Sequence, residues 1–371
     1  MPERIYLDHA ATTPLLPAAR EAMAEALGRW HNPSSPHAEG RAAKAALEDA
    51  RARIGAALGW TGKIVFTSGA SEALQIALQR AKAGCRFVSA VEHDAVLRAA
   101  QNAERVPVDQ TGLVLLRRQE PSGAEGETGL LPSQEHCGLY AIQHANNETG
   151  IIQPLDRIMA EIRDRGGLLL ADCAQTAGKL PLPDADIIAI SAHKFGGPPG
   201  IGALLLRDFA LVEAVGGQEQ GYRPGTENLP AILGMAAALE AGNAWMEEAA
   251  ALRERLDSLI DAAGGEVVGA GTPRIATIGA YRMPGVASNA QLIQFDMAGI
   301  AVSAGSACSS GSLKTSHVLA AMGWSEEAAR EVVRVSFGRS TTMQDITRFG
   351  ELWTEMAGKR RALRLSSGQA A

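Results

Sequence analysis

Short apolar runs alternate with helix-length amphipathic segments through the first two-thirds of the chain. The runs predict six strands, at Ile64–Thr67, Arg86–Ser89, Leu139–Gln143, Leu168–Asp172, Ile187–Ser191 and Ala203–Leu206. Between the first two, the segment Ser71–Ala83 repeats apolar residues at helical spacing from Leu74 to Ala81. Continuous apolar strands that alternate with helices are typical of a buried parallel sheet. The pattern therefore predicts an α/β fold whose sheet is mostly parallel.

The last third of the chain has a different pattern. An Ala-rich stretch predicts one long helix over Pro230–Ala263, which the Gly264-Gly265 pair ends. Further strands are predicted at Arg274–Ile278, Ala301–Ser303 and Val332–Ser336, and further helices at Asn289–Met297 and Met343–Met356. This mixture indicates a smaller α+β domain. The polar stretch from Arg117 to Glu135 predicts a surface loop.

Composition narrows the class of protein. With 371 residues, 46% hydrophobic and 20% charged, the chain is typical of a globular protein of about two domains. Its net charge of −6 argues against nucleic acid or an anionic membrane as the main partner. No signal peptide or membrane span is evident, so we expect a cytoplasmic protein. Its four cysteines are too scattered for a disulfide framework or a CxxC metal site, and we expect no metal.

A lysine at the end of a buried strand is the first candidate for chemistry. Lys194 lies in the stretch Ile187–Gly202, which reads IIAISAHKFGGPPGIG. It follows the carboxyl end of the strand, where open α/β sheets bind their ligands. Ser191 and His193 beside it can hydrogen-bond a phosphate or an imine. The alternative is a solvated lysine on a surface loop.

An acidic residue ends the neighbouring apolar strand. Asp172 lies in the stretch Leu168–Gln175, which reads LLLADCAQ. A carboxylate in such a place is expensive unless it is paired, and a pyridinium nitrogen would pair with it. An acid held there keeps the ring protonated, so that the ring acts as an electron sink, and Gln175 could bond a ring hydroxyl. The alternative is that Asp172 caps the next helix.

The third candidate is the start of a helix. The stretch Ile64–Glu72 reads IVFTSGASE, so a strand enters an amphipathic helix through a Ser-Gly-Ala-Ser turn. Unpaired N–H groups and the helix dipole make such a start an anion site. A lysine, an acid and an anion site at neighbouring strand ends together indicate pyridoxal 5'-phosphate. His93, just past Arg86–Ser89, can stack on the ring, unless it is an ordinary polar loop residue.

Two further candidates lie in the predicted small domain. Cys308 lies in SAGSACSSGS among small and polar residues, which is the setting of a reactive thiol rather than of a core residue. Arg339 follows the strand Val332–Ser336, and its planar guanidinium could bind a substrate carboxylate. The alternatives are an incidental surface thiol and a surface salt bridge.

These motifs together resemble the NifS/IscS-type cysteine desulfurases, a branch of the class V aminotransferase-like enzymes of fold type I. The resemblance runs from YLDHAATTP at residues 6–14 to SFGRSTT at 336–342. Between them, in the family's order, come NPSSPH, TSGASE, EHDAVL, NNETG, DCAQ, SAHKFGG, GYRPGTEN and GSACSSGS. It implies a large cofactor-binding domain at residues 14–245 with a mostly parallel seven-stranded sheet. Residues 1–13 and 246–371 would form a small α+β domain that carries the cysteine loop.

The resemblance also implies a role for each matching residue. Lys194 matches the Schiff-base lysine, Asp172 the partner of the pyridinium, and Gln175 the group at the phenolic oxygen. His93 matches the stacking imidazole, which can also handle protons, and Cys308 matches the sulfur acceptor. The matches to phosphate ligands are Ala70, Ser71, Ser191, His193 and Thr226, and the matches near the substrate are Asn147 and Arg339.

The activity that the resemblance implies is conversion of L-cysteine to L-alanine. The sulfur would pass to Cys308 as a persulfide and then to an acceptor, such as an iron–sulfur scaffold protein. Because Thr226 matches a phosphate ligand contributed across a dimer interface, a homodimer with shared active sites is expected. A selenocysteine lyase or an aminotransferase of the same fold are the rival enzymes, and a non-catalytic cofactor-binding or sulfur-carrier protein is the rival from another class.

Overall fold

The structure of the protein is a computed structural model that describes residues 4–29, 31–116, 138–305 and 315–368, with side chains of the last helix described through Lys359. Its strands are β1 (Ile5–Tyr6), β2 (Lys63–Thr67), β3 (Arg86–Ser89), β4 (Glu104–Val106), β5 (Leu139–Gln143), β6 (Leu168–Asp172), β7 (Ile187–Ser191), β8 (Gly202–Leu206), β9 (Glu266–Val267), β10 (Ile278–Arg282), β11 (Ile300–Ala301) and β12 (Val332–Ser336). Its helices are α1 (Pro17–Leu27), α2 (Ala38–Leu58), α3 (Ala70–Arg80), α4 (Asp94–Ala99), α5 (Leu155–Arg163), α6 (Leu229–Glu240), α7 (Met246–Ala262), α8 (Ser288–Met297), α9 (His317–Ala321), α10 (Glu326–Ala329) and α11 (Met343–Gly368).

Seven of the strands form one large sheet. Their order is β2-β8-β7-β6-β5-β3-β4, and β8 runs antiparallel to both of its neighbours while the other adjacent pairs are parallel. Strands β5, β7 and β8 are buried at every position, which is why they read as continuous apolar runs. The prediction of a mostly parallel seven-stranded sheet is confirmed.

Helices cover both faces of this sheet, because successive strand residues point in opposite directions. Ile187 packs into the cluster formed with α3 and α4, whereas its neighbour Ile188 packs into the cluster formed with α2, α5 and α6. Both side chains are fully buried. Burial of each contributes about 1.5–3 kcal/mol to folding. The two layers leave the strand ends as the place where polar side chains can gather.

The rest of the described chain forms smaller sheets. Strands β12, β10 and β9 form an antiparallel sheet, and β1 pairs in parallel with β11, so the N-terminal strand lies with C-terminal residues. Their core contains a stack of aromatic rings, in which the centroids of Phe295 and Phe349 lie 4.6 Å apart. This arrangement agrees with the expected α+β character. The domain boundaries at 13/14 and 245/246 stay a prediction.

Two predicted elements differ in the structure. The long helix over Pro230–Ala263 is two helices, α6 and α7, because Gly242 adopts a φ of +69° between them. The strand over Arg274–Ile278 is wrong, since β10 begins where that stretch ends. Arg274 bridges to Ile151 and Ile275 donates to the Gly150 carbonyl, so this stretch is bonded to the loop after β5 instead of to a sheet.

One short strand was not predicted, and one predicted loop lies outside the residues that the structure describes. Strand β4 was not predicted, because its three residues include two charged ones. The predicted surface loop from Arg117 to Glu135 lies outside the described residues. Within the described parts of the chain, no helix is both long and apolar enough to cross a membrane.

Candidate active site

A cavity of about 470 Å³ lies at the carboxyl end of the large sheet's parallel strands. Nine of the residues predicted from the sequence line it together: Ala70, Ser71, His93, Asn147, Asp172, Gln175, Ser191, His193 and Lys194. They come from five separate segments of the chain, which the parallel topology brings to one edge. The structure therefore gathers most of the candidate chemistry at one place.

Lys194 enters this cavity from the short 3-10 helix that follows β7. Its Nζ donates to the carbonyl oxygens of Ala10 and Ala11, at 2.5 and 2.9 Å. Burial, with a further contribution from the positive charge of Arg334, lowers the pKa of Lys194 to about 8. The neutral amine, which is the form that acts as a nucleophile or a base, is therefore far more populated near neutral pH than in an exposed lysine.

Asp172 lies at the end of β6 in the same cavity. Its Oδ1 accepts a hydrogen bond from Ala174 N at 2.9 Å, and no salt bridge joins it to another described residue. Burial raises the pKa of Asp172, and the hydrogen bond from Ala174 N and the charge of Lys194 oppose that change. A buried carboxyl with a single hydrogen bond is suited to a cationic partner brought by a ligand.

Gln175 and His93 complete the polar wall around Asp172. Gln175 Nε2 donates to the Ala10 carbonyl at 3.0 Å, and its buried Oε1 has no partner among the described residues. His93 precedes α4, and its Nδ1 accepts from Ala95 N at 3.1 Å, which places the ring proton on Nε2. Burial lowers the pKa of His93, so the ring is neutral. Both side chains retain hydrogen-bonding capacity for a ligand.

The turn before α3 forms another part of the cavity wall. Ser68, Gly69, Ala70 and Ser71 line it, with Ser191 and His193. Helix α3 has 11 residues, and its first N–H groups favour an anion at this end. A Cβ on Gly202 would lie 2.7 Å from the Gly69 Cα, so this turn packs on a strand position where only glycine fits.

An arginine that was not predicted, Arg334, lines the cavity from β12. Its Nη2 donates to Asp8 Oδ1 at 2.8 Å and its Nη1 to the Asn147 carbonyl at 2.9 Å, while its buried Nε has no partner among the described residues. The signal was present in the sequence, because Arg334 interrupts the apolar strand Val332–Ser336. A charged residue at such a position is expensive unless a partner or ligand uses it.

Arg339, the predicted carboxylate ligand, lies outside this cavity. Its guanidinium donates to the carbonyls of Ala241 and Gly242 and stacks 5.4 Å from the Trp245 ring centroid. It borders a second cavity of about 10 Å³, which also touches Lys194. That space holds about one water molecule, too little for an amino acid.

The N-terminal segment is the other contribution that was not assigned from the sequence. The motif YLDHAATTP supports the family resemblance but predicts no role for any single residue in it. In the structure Ala10 and Ala11 line the cavity, and Thr12 Oγ1 lies 3.1 Å from His193 Nδ1. Because these contacts use mostly backbone carbonyls, the identity of the side chains carried little signal.

Two predicted residues are not brought into the cavity. Thr226 is exposed and does not line it. Cys308 lies within 306–314, outside the described residues, although Gly305 just before it lines the cavity. Across the described residues, no cluster of three or more His, Cys, Asp or Glu side chains could hold a metal ion.

Comparison with known proteins places this site in a family. The model of the aminotransferase class-V family matches residues 5–349. The chain belongs to the class-V aminotransferase family. Among curated members it is 36% identical to the cysteine desulfurase IscS of Anaeromyxobacter sp. (strain Fw109-5), over 97% of this chain and 94% of the relative. It is 35% identical to cysteine desulfurase IscS 1 of Archaeoglobus fulgidus, over 94% and 95%. The resemblance inferred from the motifs is confirmed.

Solved structures with similar sequences share the fold. The NifS-like protein of Rickettsia africae superposes with a TM-score of 0.82 at 30% identity, covering 95% of this chain and 99% of its own. A structure of SspA in complex with cysteine superposes with a TM-score of 0.75 at 28% identity, covering 91% and 100%. The predicted fold type is therefore confirmed over nearly the whole chain.

Proposed function

We propose that this protein is a cysteine desulfurase that converts L-cysteine to L-alanine and transfers the sulfur, as a persulfide on Cys308, to an acceptor. The observation that carries the proposal is the meeting of Lys194 and Asp172 in one cavity of a chain whose relatives are cysteine desulfurases. The cavity is also large enough for a cofactor together with a small amino acid.

The residues of the cavity fit pyridoxal 5'-phosphate, the cofactor that the class-V family implies. When bound, this cofactor supplies an electron sink for the charge left on the substrate when a proton leaves. Lys194 would hold it as a Schiff base, Asp172 would face its ring nitrogen, and the unpartnered Oε1 of Gln175 would face its phenolic oxygen. The turn at residues 68–71, with Ser191 and His193, would hold the phosphate.

Lys194, His93 and Asp172 would each have a separate role in the reaction. Lys194, with its pKa lowered to about 8, is suited to remove the proton from the substrate Cα and to return it later. His93 is neutral with its proton on Nε2, so it can stack on a flat ring and donate a hydrogen bond from Nε2. The ionised form of Asp172 becomes favourable once a cationic ring nitrogen lies beside it.

The substrate carboxylate would bind to Arg334, in place of Arg339. Arg334 lines the cavity with an unpartnered Nε, whereas the Arg339 guanidinium is bonded to two carbonyls outside it. The Asn147 carbonyl and Asp8 hold the Arg334 fork from behind. Asn147 also lines the cavity and remains a candidate substrate contact.

Sulfur transfer needs one nucleophile. The Cys308 thiolate attacks the substrate sulfur, the new S–S bond forms as the substrate C–S bond breaks, and the electron pair of that bond remains with the carbon that becomes the methyl group of alanine. One proton added to this carbon and one returned to Cα complete L-alanine. The persulfide then passes to a thiol or scaffold acceptor, for iron–sulfur cluster assembly or another sulfur-transfer route.

We also propose the assembly and compartment. A homodimer with shared active sites would let Thr226, exposed on each chain, reach the phosphate end of the partner's site. The expected setting is the reducing cytoplasm, where Cys308 stays a thiol between turnovers.

The test measures alanine and sulfide released from L-cysteine in the presence of a reducing thiol. The wild type should be yellow and active, and Lys194→Ala should lose both the colour and turnover. Cys308→Ala should stay yellow and release almost no sulfide, so full activity of this variant would contradict the persulfide route. Transamination of a 2-oxo acid at a comparable rate would favour an aminotransferase instead, and a strong preference for selenocysteine would favour a lyase.

A further inference from the structure

A carboxylate borders the phosphate end of the cavity. Glu72 lies in the first turn of α3 and lines the cavity beside Ser71. Its Oε2 accepts a hydrogen bond from Ser68 N, the first N–H of the turn. Although burial opposes it, this bond and the charge of Arg223 lower the pKa of Glu72, so the group is ionised at neutral pH.

An ionised carboxylate at this position stabilises the helix but disfavours the binding of a phosphate. It satisfies an N–H group of the turn and complements the helix dipole. It also repels any phosphate that binds to the same turn. A cation close to Glu72 is therefore needed before this end of the cavity can favour a dianion.

Arg223 is that cation among the described residues. Its Nε donates to Glu72 Oε1 at 3.1 Å, and the two side chains are 22% and 29% exposed. It comes from a different part of the chain, the loop that continues to Thr226. The loop is fixed near Arg223 because Arg80 donates to the Tyr222 carbonyl at 3.1 Å.

A second ion pair fastens the same loop to α2, and a hydrogen bond from the same carboxylate fastens it to β2, the strand before the turn. The buried Glu219 accepts from Arg51 Nη1 and Nη2, both at 2.9 Å, and from Phe66 N at 2.7 Å. Glu219 and Gln220 have φ angles of +49° and +56°, which non-glycine residues rarely adopt. The surrounding bonds hold this strained backbone, so Arg223 leaves the loop from a fixed position.

We propose that Arg223 is a positioning residue for the phosphate of the cofactor. It neutralises Glu72 and keeps that carboxylate turned onto Ser68 N, so the turn at residues 68–71 accepts a phosphate. This inference rests on the proposed function only in requiring that the cavity bind pyridoxal 5'-phosphate. The loop of residues 216–226 then has two roles. Arg223 acts at the phosphate end of its own chain's cavity, whereas Thr226 is expected to reach the cavity of the partner chain.

The test compares two ligands that differ only in the phosphate. Full-length protein, freed of cofactor, is titrated with pyridoxal 5'-phosphate and with pyridoxal, and binding is read from equilibrium dialysis and absorbance. Arg223→Met should bind pyridoxal 5'-phosphate about tenfold more weakly, since an unscreened charge then faces the phosphate, and pyridoxal within about twofold. Arg223→Lys, which keeps the positive charge, should recover most of the lost affinity.

A rescue experiment separates charge from loop structure. Glu72→Gln keeps an acceptor for Ser68 N and removes the negative charge, so the double variant with Arg223→Met should bind pyridoxal 5'-phosphate better than Arg223→Met alone. Arg80→Met is the matched control, because it releases the Tyr222 carbonyl of the same loop and leaves the Arg223–Glu72 pair in place. It should keep the wild-type ratio of the two affinities.

Each other outcome has a definite meaning. Equal weakening for both ligands, or no weakening, would overturn the role of Arg223, as would failure of the double variant to recover affinity. A wild-type protein that bound neither ligand would instead contradict the proposed cofactor. This outcome can be distinguished from those that overturn the role of Arg223, because they require a wild type that binds pyridoxal 5'-phosphate.

Discussion

Two aspartates, the half-buried Asp257 and the buried Asp172, have different hydrogen-bonding surroundings in two regions of the molecule. In the C-terminal region, Asp257 accepts from Arg253 Nε at 3.1 Å, Arg274 Nη2 at 2.7 Å and the Tyr281 hydroxyl at 2.8 Å. In the cavity, Asp172 accepts one backbone N–H, from Ala174. The first carboxylate is satisfied by the protein itself, whereas the second has capacity left for a ligand.

The cavity has further polar groups whose hydrogen-bonding capacity is unused. Around the cavity, Gln175 Oε1 and Arg334 Nε are also buried without described partners. Buried polar groups are normally hydrogen-bonded, and each exception calls for a physical explanation. Several exceptions that face one cavity are explained together by a polar ligand. Buried atoms without described partners also occur beside Asp257, at Arg253 Nη2 and Arg274 Nη1, so the cavity differs in that its unpartnered groups line one open space.

The largest expected effect comes from neutralising the unpaired aspartate. Asp172→Asn should lower the turnover of L-cysteine about 10²- to 10³-fold, because the group that faces the ring nitrogen no longer carries a charge. The cofactor-free protein should be at least as stable as the wild type, since burial already disfavours the charged form of Asp172. Turnover and thermal unfolding measured on the same preparations check both parts. A variant that lost stability and kept its activity would reverse the assignment.

The next effect separates the two candidate arginines. Arg334→Lys should raise the KM for L-cysteine about tenfold to a hundredfold, because a lysine cannot present the planar fork to a carboxylate. Arg339→Lys should change KM by less than about threefold. Steady-state kinetics on the two variants decide the question. The opposite ranking would restore the sequence-based choice of Arg339.

These arginines also show what the sequence could and could not predict. Lys194, Asp172 and the turn before α3 were predictable because each follows a strand whose apolar run is plain, and parallel strands end at one edge. Arg334 lies inside a strand, so recognising it required knowing which strand borders the cavity. Ala10 contributes its backbone carbonyl, which accepts hydrogen bonds from Lys194 and Gln175. Its side chain therefore gives no indication of this role in the sequence.

Neutralising the paired aspartate should affect stability instead of chemistry. Asp257→Asn should lower the free energy of unfolding by about 2 kcal/mol, since two arginines lose their carboxylate. The pair is partly exposed, which keeps the loss below that of a fully buried pair. Activity per folded molecule should stay within about twofold. Urea unfolding is the measurement, and loss of activity without loss of stability would contradict this prediction.

The smallest effect concerns a second buried lysine, Lys179, which lines the small cavity beside Lys194 and Arg339. No hydrogen bond or salt bridge from its ammonium to another described residue is present. Burial, with a contribution from the charge of Lys194, lowers the pKa of Lys179 to about 7. Between this value and its ordinary pKa near 10, the unfolded chain binds the proton that the folded chain has released. Stability therefore rises with pH in that window, by at most about 1.4 kcal/mol per pH unit.

Lys179→Met should flatten this rise, and the slope that remains above pH 8 should come from Lys194, whose pKa is lowered to about 8. The measurement is urea unfolding of the cofactor-free protein at several values between pH 7 and 10. The exposed Lys82→Met is the matched control and should keep the wild-type slope. An unchanged slope in Lys179→Met would mean that Lys179 is charged in the folded protein and paired there. In that case a buried cation next to the cavity would belong with the paired charges of the C-terminal region, and the contrast between the two regions would not hold at this residue.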